Sequence, residues 1–327
     1  MKRFAGLMMI VFLFVAAIPT FAQVTQCYDL SADDCEIVTN STLATASLTG
    51  LSVEFEADVA VTGLALVSAM GAGEAPDDIA MNVVGSGDID LSQDTPALAF
   101  DFVVTNVTEG ESFNLGVAIV DGALYLVTPE GTVAVTLDAA TLAELGLPAD
   151  FLSSSPSSFG DLMGSEEVDV EEVDLSAIAP YITYAREADN ADGDSVFAFH
   201  LDITGLLNSP QVSELLAQVG GFAGDSEEVA QVLAMLPIFF SMIDSEVGVT
   251  QSINADGYVS SFAGAFYLAM DLGAFIAPDA GLDPIEIGAE VNLGFSNFDA
   301  PNAIVAPEDA TFLTAAELQQ ILGSVAP

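Results

Sequence analysis

From Leu51 the chain alternates with a period of two. Leu51, Val53, Phe55, Ala57, Val59 and Val61 fall on one side, and Ser52, Glu54, Glu56, Asp58 and Thr62 on the other. A helix would spread those apolar side chains around its circumference, whereas an extended strand sends successive side chains to opposite faces. The segment is therefore committed to a sheet with one apolar and one wet face.

The same grammar runs down the chain. Leu98, Phe100, Phe102 and Val104 oppose Ala99, Asp101 and Thr105, and Phe113, Leu115, Val117 and Ile119 follow. Asp121-Gly122, a pair that favours left-handed turn conformations, leads into Leu124 to Val127 as a tight hairpin. Thr128-Pro129-Glu130-Gly131 turns the chain again. Further on, Phe197, Phe199, Leu201 and Ile203 share a face. Glu246–Ile253 and Tyr258–Met270 are joined through Asn254-Ala255-Asp256-Gly257, and Ile285, Ile287, Val291, Leu293 and Phe295 close the series. The fold class expected is mainly β (α+β): a large curved antiparallel sheet, or half-open β-barrel, with helices packed on its concave face.

Helices are few. Asp138 to Leu145 is short, and Ser209-Pro210 combines a capping residue with a proline tolerated in the first turn. That helix presents Val212, Leu215, Leu216 and Val219. A second, opened by Asp225 with Glu228, carries Val229, Val232, Leu233 and Leu236 into Ile238, Phe239 and Phe240, and is apolar nearly all round. Residues 153–174 begin Ser-Ser-Ser-Pro and end in Glu166, Glu167, Asp169, Glu171, Glu172 and Asp174, a like-charge run expected to be a mobile, solvated loop. The divisions expected are 1–22, 23–45, one half-barrel domain over 46–310, and a 311–327 tail with a short helix.

Charge narrows the partners. The chain holds 49 acidic residues against three basic ones, a formal net charge of −46. Such a chain repels nucleic acid and anionic surfaces. Adaptation to a saline or acidic exterior, binding of divalent cations, and solubilisation of a chain that is 52% hydrophobic would each account for it.

The N-terminus reads as a secretory signal, with Lys2 and Arg3 ahead of the apolar run Phe4–Ile18 and then Pro19-Thr20-Phe21-Ala22. Cleavage near Ala22 is expected; an uncleaved anchor gives the same secreted or periplasmic (cell-envelope) location. Cys27 and Cys35, eight apart, are expected to form a disulfide in an oxidising compartment, with a two-thiol metal site as the alternative. Val24-Thr25-Gln26 lacks the small residue that precedes a lipid-modified cysteine.

Catalytic chemistry is sparse. A Ser-His-Asp site would depend on the single histidine, His200, and no nucleophile elbow, phosphate loop or H-E-x-x-H motif occurs. Asp189-Asn190-Ala191-Asp192-Gly193-Asp194 offers oxygen ligands, but Ala191 stands at a ligand position and no Glu closes the loop, so a plain turn is preferred. No cofactor and no enzymatic activity are expected. The apolar surplus fits either a solid core or a cavity for a lipid or other hydrophobic small molecule, lined by Leu215, Leu216, Val232, Leu233, Leu236, Phe239, Phe240, Phe262 and Phe266. A structural or adhesive acidic envelope protein is the rival reading, and an envelope or membrane-surface partner suits either.

The layout also resembles the LppX/LprG-type envelope lipoproteins and, more remotely, the LolA-like carriers. The likeness rests on Gly85–Leu91, the Val120–Leu126 hairpin, a paired-helix insert before three long strands, and Phe295–Pro301 followed by Ile304–Ala310. It spans roughly Leu51 to Ala310. The resemblance implies a half-open antiparallel barrel with helices against its concave face, enclosing a cavity for acyl chains.

Overall fold

The computed structural model describes residues 27, 29–64, 78–92, 96–145, 179–210, 212, 240–271 and 283–318. The expected signal (1–22), the acidic loop (153–174) and most of the paired-helix insert lie outside the described residues.

Six strands run as a meander: β1 (Gly50–Thr62), β2 (Ile79–Asp90), β3 (Ala97–Asn106), β4 (Glu111–Val120), β5 (Ala123–Thr128) and β6 (Gly131–Thr136). Five more form a second: β7 (Ile182–Arg186), β8 (Ser195–Asp202), β9 (Ile243–Ile253), β10 (Val259–Met270) and β11 (Ile285–Ser296). β1 pairs antiparallel with β11, so both belong to one curved, unclosed sheet of twelve strands. Its edges are β7 and the two-residue β12 (Thr311–Phe312), which pairs parallel with β6.

Local chemistry sets the turns. Asp121 and Gly122 both take positive φ (53° and 72°), which matches the twist of a two-residue hairpin. Between β9 and β10, Asn254 Oδ1 accepts from Asp256 N and Tyr258 N, each at 3.0 Å, and Gly257 has φ 84°.

Three α-helices are described in full, beside a 3-10 turn at Ala179–Tyr181 and helical residues 315–318. α1 (Ala32–Ala46) is capped by Ser31, whose oxygen accepts from Asp34 N at 3.2 Å. Its mixed apolar and polar surface gave no clean helical period, and the sequence reading had left 23–45 without a helix. α2 (Ala139–Leu145) starts where expected, with Thr141 N donating to Asp138 at 2.8 Å. α3 (Ile203–Leu207) is a correction: Ile203 does not extend the strand face of Phe197, Phe199 and Leu201. The Asp202 side chain accepts from Gly205 N at 2.6 Å and turns the chain into a helix. Ser209 caps as expected, accepting from Val212 N at 3.2 Å.

Residues 297–310 strap the outer face. The Asp88 carboxylate takes the Ser52 hydroxyl and, from Asn302, the amide N at 3.2 Å and Nδ2 at 3.1 Å. Asp299 accepts from Thr49 N at 2.8 Å. Ile304, Ala306 and Ala310 then cover Ala97, Ala118, Tyr125 and Ala134, outward-facing residues that water would otherwise meet. The chain rounds the β6 edge, and Leu313 and Leu318 join Val135, Leu137 and Leu142 on the opposite side.

Gly85 and Gly87, from the segment that carries the family likeness, lie inside β2. Missing side chains there make room for rings from neighbouring strands. A Cβ on Gly85 would overlap the Phe55 ring and the Asp101 carbonyl oxygen, and one on Gly87 the Phe100 ring and the Ala99 carbonyl oxygen. Gly264 in β10 differs, because a Cβ there meets none of the described residues within 4 Å. Gly85→Ala is therefore expected to lower unfolding free energy by about 1–3 kcal/mol through overpacking. Gly264→Ala should cost nothing and add up to about 1 kcal/mol by relieving glycine entropy. Urea denaturation followed by circular dichroism measures both.

Candidate functional site

Register decides what each face carries. Tyr184, Phe199, Val249, Gly264, Val291, Ala57, Val83, Val104 and Phe113 are successive cross-strand partners from β7 to β4. Two residues along, Phe197, Gln251, Phe262, Leu293, Phe55, Gly85, Phe102 and Leu115 are likewise aligned. Side chains two apart share a face, so these strips make one apolar surface across most of the sheet. Phe55 and Phe102 meet with ring centres 5.1 Å apart, and Phe262 meets Phe295 at 6.1 Å.

Burial along this face is graded. At one end Leu48, Leu51, Val53, Ile89 and Leu91 form a fully buried cluster. Ala57, Val83 and Val104 are buried in the middle, while Phe55, Phe102, Val249, Phe262, Phe266 and Val291 around them are half-buried. Among the described residues none would meet a Cβ at Gly264, and this partly covered apolar surface is called the trough below. Of the residues expected to line a cavity, Phe262 and Phe266 lie on this face, and Phe240 stands half-buried just ahead of β9. Leu215, Leu216, Val232, Leu233, Leu236 and Phe239 fall outside the described residues.

α1 spans the closed end. Thr45 Oγ1 accepts from Val259 N at 2.9 Å. At the other end of the helix Asp34 pairs with Arg186 at 3.1 Å. Arg186, the one Lys or Arg among the described residues, also reaches Asp189 at 3.2 Å and lies over the fully buried Phe197, 5.8 Å from its ring centre. Cys27 and Cys35 form a disulfide beside this helix, with Cα atoms 5.5 Å apart. Burial raises the Tyr184 phenol to about 12, so it remains an un-ionised member of the trough wall.

The opposite face is acidic. Glu54, Glu56, Asp58, Asp101 and Glu290 are exposed on it. A groove of about 1080 Å³ crosses the sheet here. Its lining takes in the strips through Glu54 and Glu56 and the strip between them, but not the apolar strips through Val53 and Ala57. It runs along the acid-bearing strips and shares Phe55, Phe102, Phe262 and Leu293 with the apolar strip between them. His200 stands on this face, exposed, with Nε2 3.4 Å from Glu246. In the 189–194 segment Asn190 Oδ1 is occupied by Asp192 N and Asp194 N, both at 2.9 Å, which is the geometry of a turn. Among the described residues no group of three or more Asp, Glu, His or Cys side chains converges as metal ligands would.

No family model matches this chain, and no curated protein is similar to it. The solved structure of LprF from Mycobacterium bovis resembles it with a TM-score of 0.30 at 12% identity, over 85% of this chain and 98% of that one. A lipovitellin structure concerned with lipid–protein interactions gives 0.31 at 9% identity, over 81% of this chain and 27% of lipovitellin. Likenesses this distant concern general architecture and transfer no residue.

The α1 anchor has a pH signature. The Ser31 hydroxyl and the Arg186 guanidinium hold the Asp34 carboxyl below its ordinary value of 3.8. A depressed carboxyl contributes stability above its unfolded pKa and loses it as pH falls through the folded one. Asp34→Asn should therefore melt below the wild type at neutral pH, with the gap closing below about pH 3.8. Thermal melts from pH 7 to pH 3 test this.

Proposed function

We propose that this chain is an exported, non-catalytic protein that binds a lipid or other hydrophobic molecule in the trough between its curved sheet and the 209–243 segment, and carries it in the cell envelope. One observation carries the reading. The apolar face continues in register from β7 to β4, yet the residues around its buried middle are only half-buried, and among the described residues nothing fills the space at Gly264. A solid core fills such a surface, whereas a binding site leaves it unfilled until a ligand arrives.

Export is supported by the signal-like N-terminus and by the Cys27–Cys35 disulfide, which persists in an oxidising compartment. The remaining parts of the reading are a half-barrel domain over 46–310, the acidic 153–174 segment as a mobile connection, and helices bearing Leu215, Leu216, Val232, Leu233, Leu236, Phe239 and Phe240 as the cover. A partner at the envelope surface would have to tolerate, or be drawn to, a strongly acidic exterior.

The test uses N-phenyl-1-naphthylamine, a neutral dye that fluoresces in apolar sites, together with native mass spectrometry of the gently purified protein. Wild type should brighten the dye and carry co-purified lipid. Gly264→Leu puts an isobutyl group into the trough where a Cβ meets none of the described residues, and should abolish dye binding at an unchanged circular dichroism spectrum. Gly248→Leu is the control, since Gly248 is on the acidic face and a Cβ there also meets none of the described residues within 4 Å; it should bind like wild type. A dark wild type with no bound lipid sinks the proposal.

A further inference from the structure

We infer that the trough takes an amphiphile whose acyl oxygen accepts a hydrogen bond from Gln251, an inference that rests on the hydrophobe-binding reading above. Gln251 is aligned between Phe197 and Phe262 on the apolar face, where its cross-strand neighbours offer no acceptor side chain. Its Nε2 is buried and has no hydrogen-bond partner among the described residues. Buried donors of folded proteins almost always find an acceptor, so an orphan inside a binding surface marks where a ligand supplies one.

The surroundings say what kind of molecule that is. On one side of Gln251 stand Phe197 and then Arg186, whose charge is already met by Asp34 and Asp189. On the other side Phe262, Leu293, Phe55 and Phe102 present no donor or acceptor side chain for roughly 20 Å, at the usual interstrand spacing. A polar point followed by a long greasy run matches an acyl chain with its carbonyl at Gln251. The amide is uncharged and the guanidinium is spoken for, so no free cation meets a carboxylate here and a neutral ester fits better.

The experiment measures displacement of N-phenyl-1-naphthylamine by methyl oleate, oleate and the oxygen-free 1-octadecene, for wild type, Gln251→Leu and Gln251→Glu. Comparing the methyl oleate to 1-octadecene affinity ratio between proteins cancels the ligands' different solubilities. Gln251→Leu should lower that ratio roughly tenfold, the order expected for one buried hydrogen bond, while 1-octadecene binds as well as before or better. Gln251→Glu should weaken methyl oleate and weaken oleate more, because an ionised side chain cannot donate and repels a carboxylate. Ligand-free Gln251→Leu should melt at or above the wild-type temperature, since the substitution removes an unsatisfied donor. A lower melting temperature would mean that the amide is bonded within the fold, and would overturn the assignment. An unchanged ratio with all three ligands bound leaves the carrier reading standing and overturns this one. Failure of wild type to bind any of the three removes both.

Discussion

β1 and β11 run antiparallel from Ser52↔Ser296 to Thr62↔Glu286, and every other strand is joined to the sheet through that central pair. β2 to β6 extend the sheet from one side of it and β10 to β7 from the other. The apolar surface is continuous because the register brings Phe55 opposite Leu293 and Ala57 opposite Val291. A slip of one residue would turn the apolar residues of one half toward water while the other half kept them inside, so the buried face itself fixes the register. The two strands are far apart in sequence, Ser52 pairing with Ser296, so closing this contact costs more chain entropy than the hairpins on either side.

Charge is arranged around that surface. The acids gather on the outward strips, where Asp58 faces Glu290 directly across β1 and β11. Like charges in such positions repel, and dissolved salt screens the repulsion. The chain has almost no cations with which to relieve it internally. Arg186 is placed where one cation does most: it ties the start of α1 to the edge strand β7 and covers Phe197. α1 thereby spans the closed end of the trough, held at Arg186 and again at Val259.

The two faces consequently have different chemistry. The apolar one offers a long hydrocarbon surface with a single orphan amide near its α1 end. The acidic one offers an open groove beside solvated carboxylates, bordered by the strip that the 297–310 strap covers.

The mainly β architecture, the hairpins at Asp121-Gly122 and Asn254–Gly257, the helix at 139–145 and the Cys27–Cys35 pairing were legible in the chain, because each depends on residues close together or on a strict period. The greasy face was legible for the same reason, whereas Phe262 and Phe266 stood out only by the density of large apolar residues around them. α1 was not legible, since its anchors, Arg186 and Val259, are far away in sequence. The strap left a faint sign in small outward residues such as Ala97, Ala118 and Ala134, whose cover arrives from the C-terminal region. Gln251 looked like one more polar residue until the register set it among phenylalanines. Local periodicity thus determined which side of each strand is apolar. The joining of β1 to β11, the closing of one end by α1 and the stranding of an amide inside the trough were decided by contacts between distant segments, whose energies no short window of sequence contains.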